Sequence, residues 1–424
     1  MARKMKDSGI EWIGEIPEGW ETCLYKYCCS VQPGYPFDSA KFSNSSTDGF
    51  PLIRIRDITS GEIQTYYTGE YPPNYIVTAG DLLVGMDGDF NVRWWNNDAA
   101  LLNQRCCRVT EKDSVLRRFL YYVLPFTLQH INTLTYATTV KHLANGDILN
   151  SFIAFPSLPA QQNIVHYLDT VCSEIDAMLS KTRSSIEEYK KLKQAIITQA
   201  VTKGVCGERE MKDSGVEWIG EIPTTYSICK LKYLLKNPLK YGANESGIPY
   251  SDSLPRYIRI TDITPDGNLK YTGKLSLSEE SAKDYILEDG DILFARSGAT
   301  VGKTFIYYQS YGRSAYAGYL IKASLNNKVS PKFVYYYTCS SLYEIWKNSI
   351  FIQSTIQNIG ADRYANLPVP VPKTLQEQEE IADYLDAKCA KIDKLIAKKE
   401  QLAKELESYK KSLIYEVVTG KREV

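Results

Sequence analysis

The peptide MKDSGIEWIGEIP at Met5–Pro17 returns as MKDSGVEWIGEIP at Met211–Pro223, with twelve of thirteen positions identical and an offset of 206 residues. A 424-residue chain that restates itself near its midpoint is constrained to fold as two similar units. The echo continues in unchanged order. LIRIRDITSGEIQTYYTGEY from Leu52 is answered by YIRITDITPDGNLKYTGKL from Tyr257, and AGDLLVGMDGDF from Ala79 by DGDILFARSGAT from Asp289. ATTVKHL from Ala137 is answered by QSTIQNI from Gln353, and HYLDTVCSEIDAML from His166 by DYLDAKCAKIDKLI from Asp383. Solenoid repeats have periods of about 20–50 residues, so two repeats of this size are a duplicated module.

The divisions follow from composition. An N-terminal segment, 1–17, precedes a first globular domain, 18–157. A long helix is expected over 158–204, then a linker with the second thirteen-mer, 205–223. A second globular domain, 224–373, leads to a second long helix, 374–424. Pro-punctuated exits, FPSLPAQQ and VPVPKTLQEQ, mark both domain-to-helix boundaries. Inside the domains, β-branched and aromatic runs alternate with Gly-Asp and Asp-Gly turns and a few short helical stretches. They read as strand-rich α+β domains.

Both helical segments carry a 3.5-residue apolar repeat. The first reads Ile164, Leu168, Val171, Ile175, Met178, Thr182, Ser185, Tyr189, Leu192 and Ile196. The second reads Ile381, Leu385, Lys388, Ile392, Leu395, Lys399, Leu402, Leu406, Tyr409 and Leu413. A repeat held this long predicts a coiled-coil seam, with two separate amphipathic helices or pairing between two chains as alternatives. Connectivity requires the pair to be antiparallel. The expected architecture is two similar heads separated by an antiparallel coiled coil, pseudo-twofold. It is circularly organised, because the two ends, VVTGKREV and MARKMKDSG, read together like the internal linker.

Bulk properties exclude several classes. No apolar run approaches the ~20 residues of a membrane helix, and MARKMKDSG lacks the apolar stretch of a secretory signal. A cytoplasmic location is expected. Ten cysteines without a C-x-x-C motif read as reduced structural thiols, and three histidines leave little for a metal site. Net charge is zero, yet residues 224–373 hold 18 Lys/Arg against 12 Asp/Glu while residues 18–157 hold 11 against 14.

No catalytic centre emerges. SGATVGKT at Ser297–Thr304 ends like a phosphate loop, but its first glycine falls one place late and a strand-like FIYYQSYG follows where a helix should open. PPNY at Pro72–Tyr75 has the letters of an adenine methyltransferase motif in the wrong order. Asp87 and Asp89 in GMDGDF suit a turn. Trp94 and Trp95 could stack on a base, but core packing explains them better. Two similar heads without chemistry suit a bivalent reader of DNA, whose duplex repeats every ~34 Å. The competing reading is a coiled-coil scaffold whose heads bind protein partners.

The EWIGEIP motif before each head, GDIL…SGATVGK in the second, and the Pro-rich exit into QEQEEIADYLDAKCAKIDKLI together resemble the specificity subunits of type I restriction–modification systems. The resemblance covers essentially the whole chain. It implies two target-recognition domains, each reading one half of a bipartite double-stranded DNA site, and helices that space them and dock two modification subunits. It also implies that this chain catalyses nothing and binds neither cofactor nor metal. S-adenosylmethionine then belongs to the modification subunits, and ATP and Mg to a restriction subunit where one is present. Donor-bearing loop residues are the candidate DNA contacts. They are Asn91, Arg93, Gln104, Arg105, Thr139 and Lys141 in the first head, and Arg296, Thr300, Lys303, Arg313, Ser354 and Gln357 in the second.

Overall fold

The computed structural model describes residues 3–134, 141–264, 267–298, 300–351 and 358–424. The chain forms two compact units. The first joins Met1–Thr182 to Gln401–Val424; the second is Arg183–Glu400. The first unit therefore contains both chain ends, as a circular organisation requires.

In the first unit a four-stranded antiparallel sheet runs in the order Val92–Trp94, Leu82–Gly85, Cys106–Glu111, Cys29–Pro33. In the second unit the order is Thr304–Ile306, Ile292–Ala295, Leu320–Ala323, Lys240–Tyr241. These are the same strands of the duplicated module in the same arrangement. A second sheet of shorter strands accompanies each, five-stranded in the first unit and four-stranded in the second. Its one parallel pair joins Phe50–Ile53 to Ala100–Leu102 in the first unit and Arg256–Ile258 to Ser314–Tyr316 in the second. The last strand of each head returns to the first. Phe152–Phe155 pairs with Glu21–Leu24, and Pro368–Pro372 pairs with Tyr226–Lys230. Proline at every second position of PVPVP is tolerated because this strand has a neighbour on one side only.

The thirteen-mer forms the same hairpin twice, with Met5↔Pro17 and Met211↔Pro223 as its outermost pairs. Its apolar residues close the end of a long helix. Ile13 and Ile16 join the core that holds Val417 and Val418, and Ile219 and Ile222 join the core that holds Ile197, Ala200 and Val201. The Tyr415 hydroxyl donates to the Trp12 carbonyl at 2.9 Å. The peptide recurs because each head requires the same seat on a helix.

The long helices span Leu158–Lys203 and Leu375–Val418. Within the first unit, Lys410 Nζ reaches Asp176 at 2.6 Å, and the earlier Tyr167 meets the later Arg422. Within the second, Lys193 Nζ reaches Asp393 at 2.7 Å, and the earlier Tyr189 lies under the later Lys399. In each unit the two helical segments therefore run in opposite senses.

The seam keeps the expected 3.5-residue period but not the expected phase. The seam runs through Leu168, Cys172, Ile175, Leu179, Thr182, Ile186 and Tyr189 in one helix, with Val171 and Ser185 half-buried beside it, and through Leu385, Cys389, Ile392, Ile396, Lys399, Ala403 and Leu406 in the other. Every second seam residue thus falls one place later than expected. Met178, Leu192, Leu395, Leu402 and Tyr409 are left 42–53% exposed. Apolar residues occupy both neighbouring positions at several of these turns, so periodicity alone could not choose between them.

One buried glutamine joins each head to its helix. Gln161 accepts from Leu116 N at 2.9 Å and donates to the carbonyls of Pro156 at 2.9 Å and Ser114 at 3.2 Å. Gln378 repeats the set with Ser330 N, Pro372 O and Lys328 O. Two turns further on, Asp169 takes Arg118 and Tyr122, and Asp386 takes Lys332 and Tyr336.

Among the described residues no helix is long and apolar enough to cross a membrane, and no group of His, Cys, Asp or Glu is placed to hold a metal ion.

Candidate nucleic-acid interface

In each head three loops meet beyond the end of the four-stranded sheet, and the backbone fixes them identically. In the first head Gly85 N donates to Asn91 O, Met86 N to Arg105 O, and Leu143 N to Met86 O. In the second, Ala295 N donates to Lys303 O, Arg296 N to Tyr319 O, and Ile359 N to Arg296 O. Isolated bridges Asp87↔His142 and Ser297↔Asn358 complete the frame. A further loop crosses it at a glycine. A Cβ on Gly34 would lie 2.1 Å from Asn103 O, and one on Gly242 would lie 2.4 Å from Ala317 O. Only glycine permits so close a backbone approach.

This frame pairs positions across the heads: Met86 with Arg296, Asp87 with Ser297, Asn91 with Lys303, Arg105 with Tyr319, and His142 with Asn358. The backbone is shared and the side chains are not. In the first head His142 Nδ1 lies 2.7 Å from Asp87 Oδ1, and Arg105 Nη1 lies 3.5 Å from both. The Arg105 side chain is 57% exposed. Lys141 donates to Asn132 O at 2.8 Å, and Asn132 in turn donates to Gly88 O at 2.9 Å. In the second head the Arg296 guanidinium sits 5.0 Å over the Tyr241 ring, with its Nε buried and without a hydrogen-bond partner. Tyr319 is 65% exposed beside it.

The candidate residues divide accordingly. Asn91, Gln104, Arg105 and Lys141 belong to the first loop cluster, and Arg296, Thr300 and Lys303 to the second. Asn91, Gln104 and Lys303 are exposed; Asn91 also donates to Thr59 Oγ1 at 3.2 Å. Arg93 holds the carbonyls of Ile58 and Thr59 at 2.5 and 2.6 Å, tying down the end of the helix Ile55–Ser60. Arg313 makes a two-pronged pair with Glu279 at 2.5 and 2.8 Å, which holds the Glu279 carboxyl below its usual range. Thr139, Ser354 and Gln357 lie outside the described residues.

Sequence reasoning missed Tyr241, Tyr319, His142 and Asn358 as members of the clusters. A signal for the last two was present, because ATTVKHL set against QSTIQNI places His142 opposite Asn358. Tyr319 had no such signal, since aromatic residues in strand-rich segments read as core. The SGATVGKT loop connects the antiparallel strands Ile292–Ala295 and Thr304–Ile306, so it opens no helix. Trp95 is wholly buried, and Trp94 packs under Arg118 at 4.7 Å.

The chain matches the family model described as type I restriction modification DNA specificity domain twice, over residues 17–188 and 244–408. The EcoBI specificity subunit of a type I restriction enzyme from Escherichia coli is 29% identical over 93% of this chain and 84% of that protein. The MjaVIII specificity subunit from Methanocaldococcus jannaschii is 23% identical over 96% and 93%. A solved structure described as underlying complex assembly and conformational transition of the type I R-M system matches at a TM-score of 0.69 and 17% identity. That match covers 96% of this chain and 99% of the other. The two family matches fall one in each copy of the duplicated module and together cover most of the sequence, so the chain belongs to the type I restriction modification DNA specificity family.

Proposed function

We propose that this chain is the subunit that selects the DNA site of a type I restriction–modification complex, with each head reading one half of a bipartite sequence. The observation that carries the reading is the duplicated loop cluster: one backbone frame, built twice, presenting different donors and acceptors. Bases in the major groove are distinguished by such donor and acceptor patterns. The long helices act as spacer and as docking surface for two modification subunits. In support, Met178, Leu192, Leu395 and Leu402 stand exposed on helices otherwise rich in charge. Catalysis then belongs to the partners: methylation with S-adenosylmethionine in the modification subunits, and ATP- and Mg-dependent work in a restriction subunit where one assembles. Such a complex acts in the cytoplasm, where the DNA is. With no net charge, the chain alone binds DNA weakly and takes most of its phosphate grip from its partners.

The test is a head exchange. Residues of the second head are replaced by those of a relative, the complex is assembled with its modification subunits, and methylated adenines are mapped. A reader changes one half of the bipartite motif and keeps the other. An unchanged motif refutes the reading.

A further inference from the structure

The two heads differ most where Met86 N donates to Arg105 O at 2.9 Å and Arg296 N donates to Tyr319 O at 3.1 Å. This single backbone crossing carries two side chains per head. In the first head they are a buried methionine and an exposed arginine; in the second, an arginine and an exposed tyrosine. Each head thus brings one guanidinium to the same crossing, from opposite strands. We propose that Arg105 and Arg296 are the primary base-reading residues of their heads, each recognising a guanine. The inference rests on the reading of the heads as sequence readers.

The surroundings favour a base edge over a phosphate. Arg105 is flanked by the Asp87 carboxylate, which also faces His142. A carboxylate there orients the guanidinium fork but repels a phosphate. Guanine presents two neutral acceptors, N7 and O6, which match two parallel N–H donors. Arg296 is held over the Tyr241 ring at 5.0 Å, a contact that restrains the guanidinium without using its N–H donors. Among the described residues it has no carboxylate or carbonyl partner, and its buried Nε is unpaired. The Nη donors of Arg296, which no group of its own head satisfies among the described residues, are the ones a base edge can complete. Two other candidate arginines lack this freedom, since Arg93 and Arg313 are held within their own heads.

The complex of the full chain with its modification subunits tests this by mapping of methylated sites. Arg105→Ala should reduce discrimination at one G·C pair of one half-site by about tenfold or more and leave the other half-site intact. Arg296→Ala should do the converse. Arg105→Gln and Arg296→Gln should shift the preference at the same position toward adenine, whose N6 and N7 suit an amide. This second pair supplies a gain of signal that misfolding cannot imitate. A uniform fall in methylation with the motif unchanged would mark phosphate contacts and overturn the inference, as would relaxation of both half-sites by one substitution. If head exchange moves half of the motif while the arginine variants leave it untouched, this assignment alone fails. If head exchange moves nothing, the function proposed above fails with it.

Discussion

Replacing Gln161 by methionine keeps the length and most of the volume of the side chain but removes three hydrogen bonds. Gln161 is fully buried, and its amide satisfies one backbone N–H, on Leu116, and the carbonyls of Pro156 and Ser114. A buried donor left without a partner costs about 1–3 kcal/mol. The carbonyls add less, because an oxygen with two lone pairs tolerates partial satisfaction better. The expected loss is therefore about 2–4 kcal/mol. For a unit of this size that corresponds to a fall of about 4–16 °C in melting temperature. Gln378→Met should cost as much, because Gln378 holds Ser330, Pro372 and Lys328 in the same geometry. The exposed neighbour Gln162→Met should change stability by less than about 0.5 kcal/mol. Chemical denaturation of the three variants, followed by circular dichroism, measures these differences. If Gln161→Met lies as close to the parent as Gln162→Met, the amide does not join head to helix and the reasoning is wrong.

Three other outcomes are expected. Gly34→Ala and Gly242→Ala force a Cβ against backbone oxygen at 2.1 and 2.4 Å, so each should displace its loop and abolish methylation that depends on its own half-site; mapping of methylated sites and the circular dichroism of each variant check this. Of the ten cysteines, Cys206 is exposed and should react first with a thiol reagent at pH 8, whereas burial raises Cys29 and Cys106 to about 12 and keeps them inert until denaturant is added. Burial also raises the Asp57 carboxyl above its ordinary range, so the folded state holds that proton more tightly than the unfolded chain does. This group's contribution to stability should fall as pH rises from about 4 through the folded value, and Asp57→Asn should remove that slope in denaturation series at matched pH.

What the sequence disclosed depended on whether the signal was local. The thirteen-mer, the Pro-rich exits and the heptad period are local, and the structure shows the duplicated module and the two long helices they imply; that the thirteen-mer is a hairpin and each exit an edge strand is not read from them. The phase of the seam was not local. Val171 with Cys172 and Met178 with Leu179 offer two acceptable residues at adjacent places, and packing against the other helical segment decides between them. The loop clusters were the least legible part. Arg93 and Arg105 look alike in sequence, yet one guanidinium caps a helix and the other stands in solvent. That difference arises from contacts about 35 residues away along the chain, which no short motif encodes.

Divergence between the two copies is itself informative, because it takes two physical forms. Within the cores, changes come in matched sets. Trp20 in the first head becomes Tyr226 in the second, and a buried tyrosine needs a partner for its hydroxyl. Ala160 correspondingly becomes Glu377, which accepts from Tyr226 Oη at 3.0 Å and from Arg209. Where the first head keeps tryptophan, the equivalent Arg3 lies 5.5 Å over its ring and no carboxylate stands at position 160. Two positions changed together around an unchanged arginine so that one buried group stayed satisfied. Among the described residues of the loop clusters no such matching is visible. Asp87, His142 and Arg105 make a set, but Ser297, Asn358 and Tyr319 are not a substitute set with the same internal bonds. Residues released from mutual satisfaction while their backbone frame is retained hydrogen bond for hydrogen bond are under a constraint that lies outside the chain. A different DNA half-site for each head supplies one.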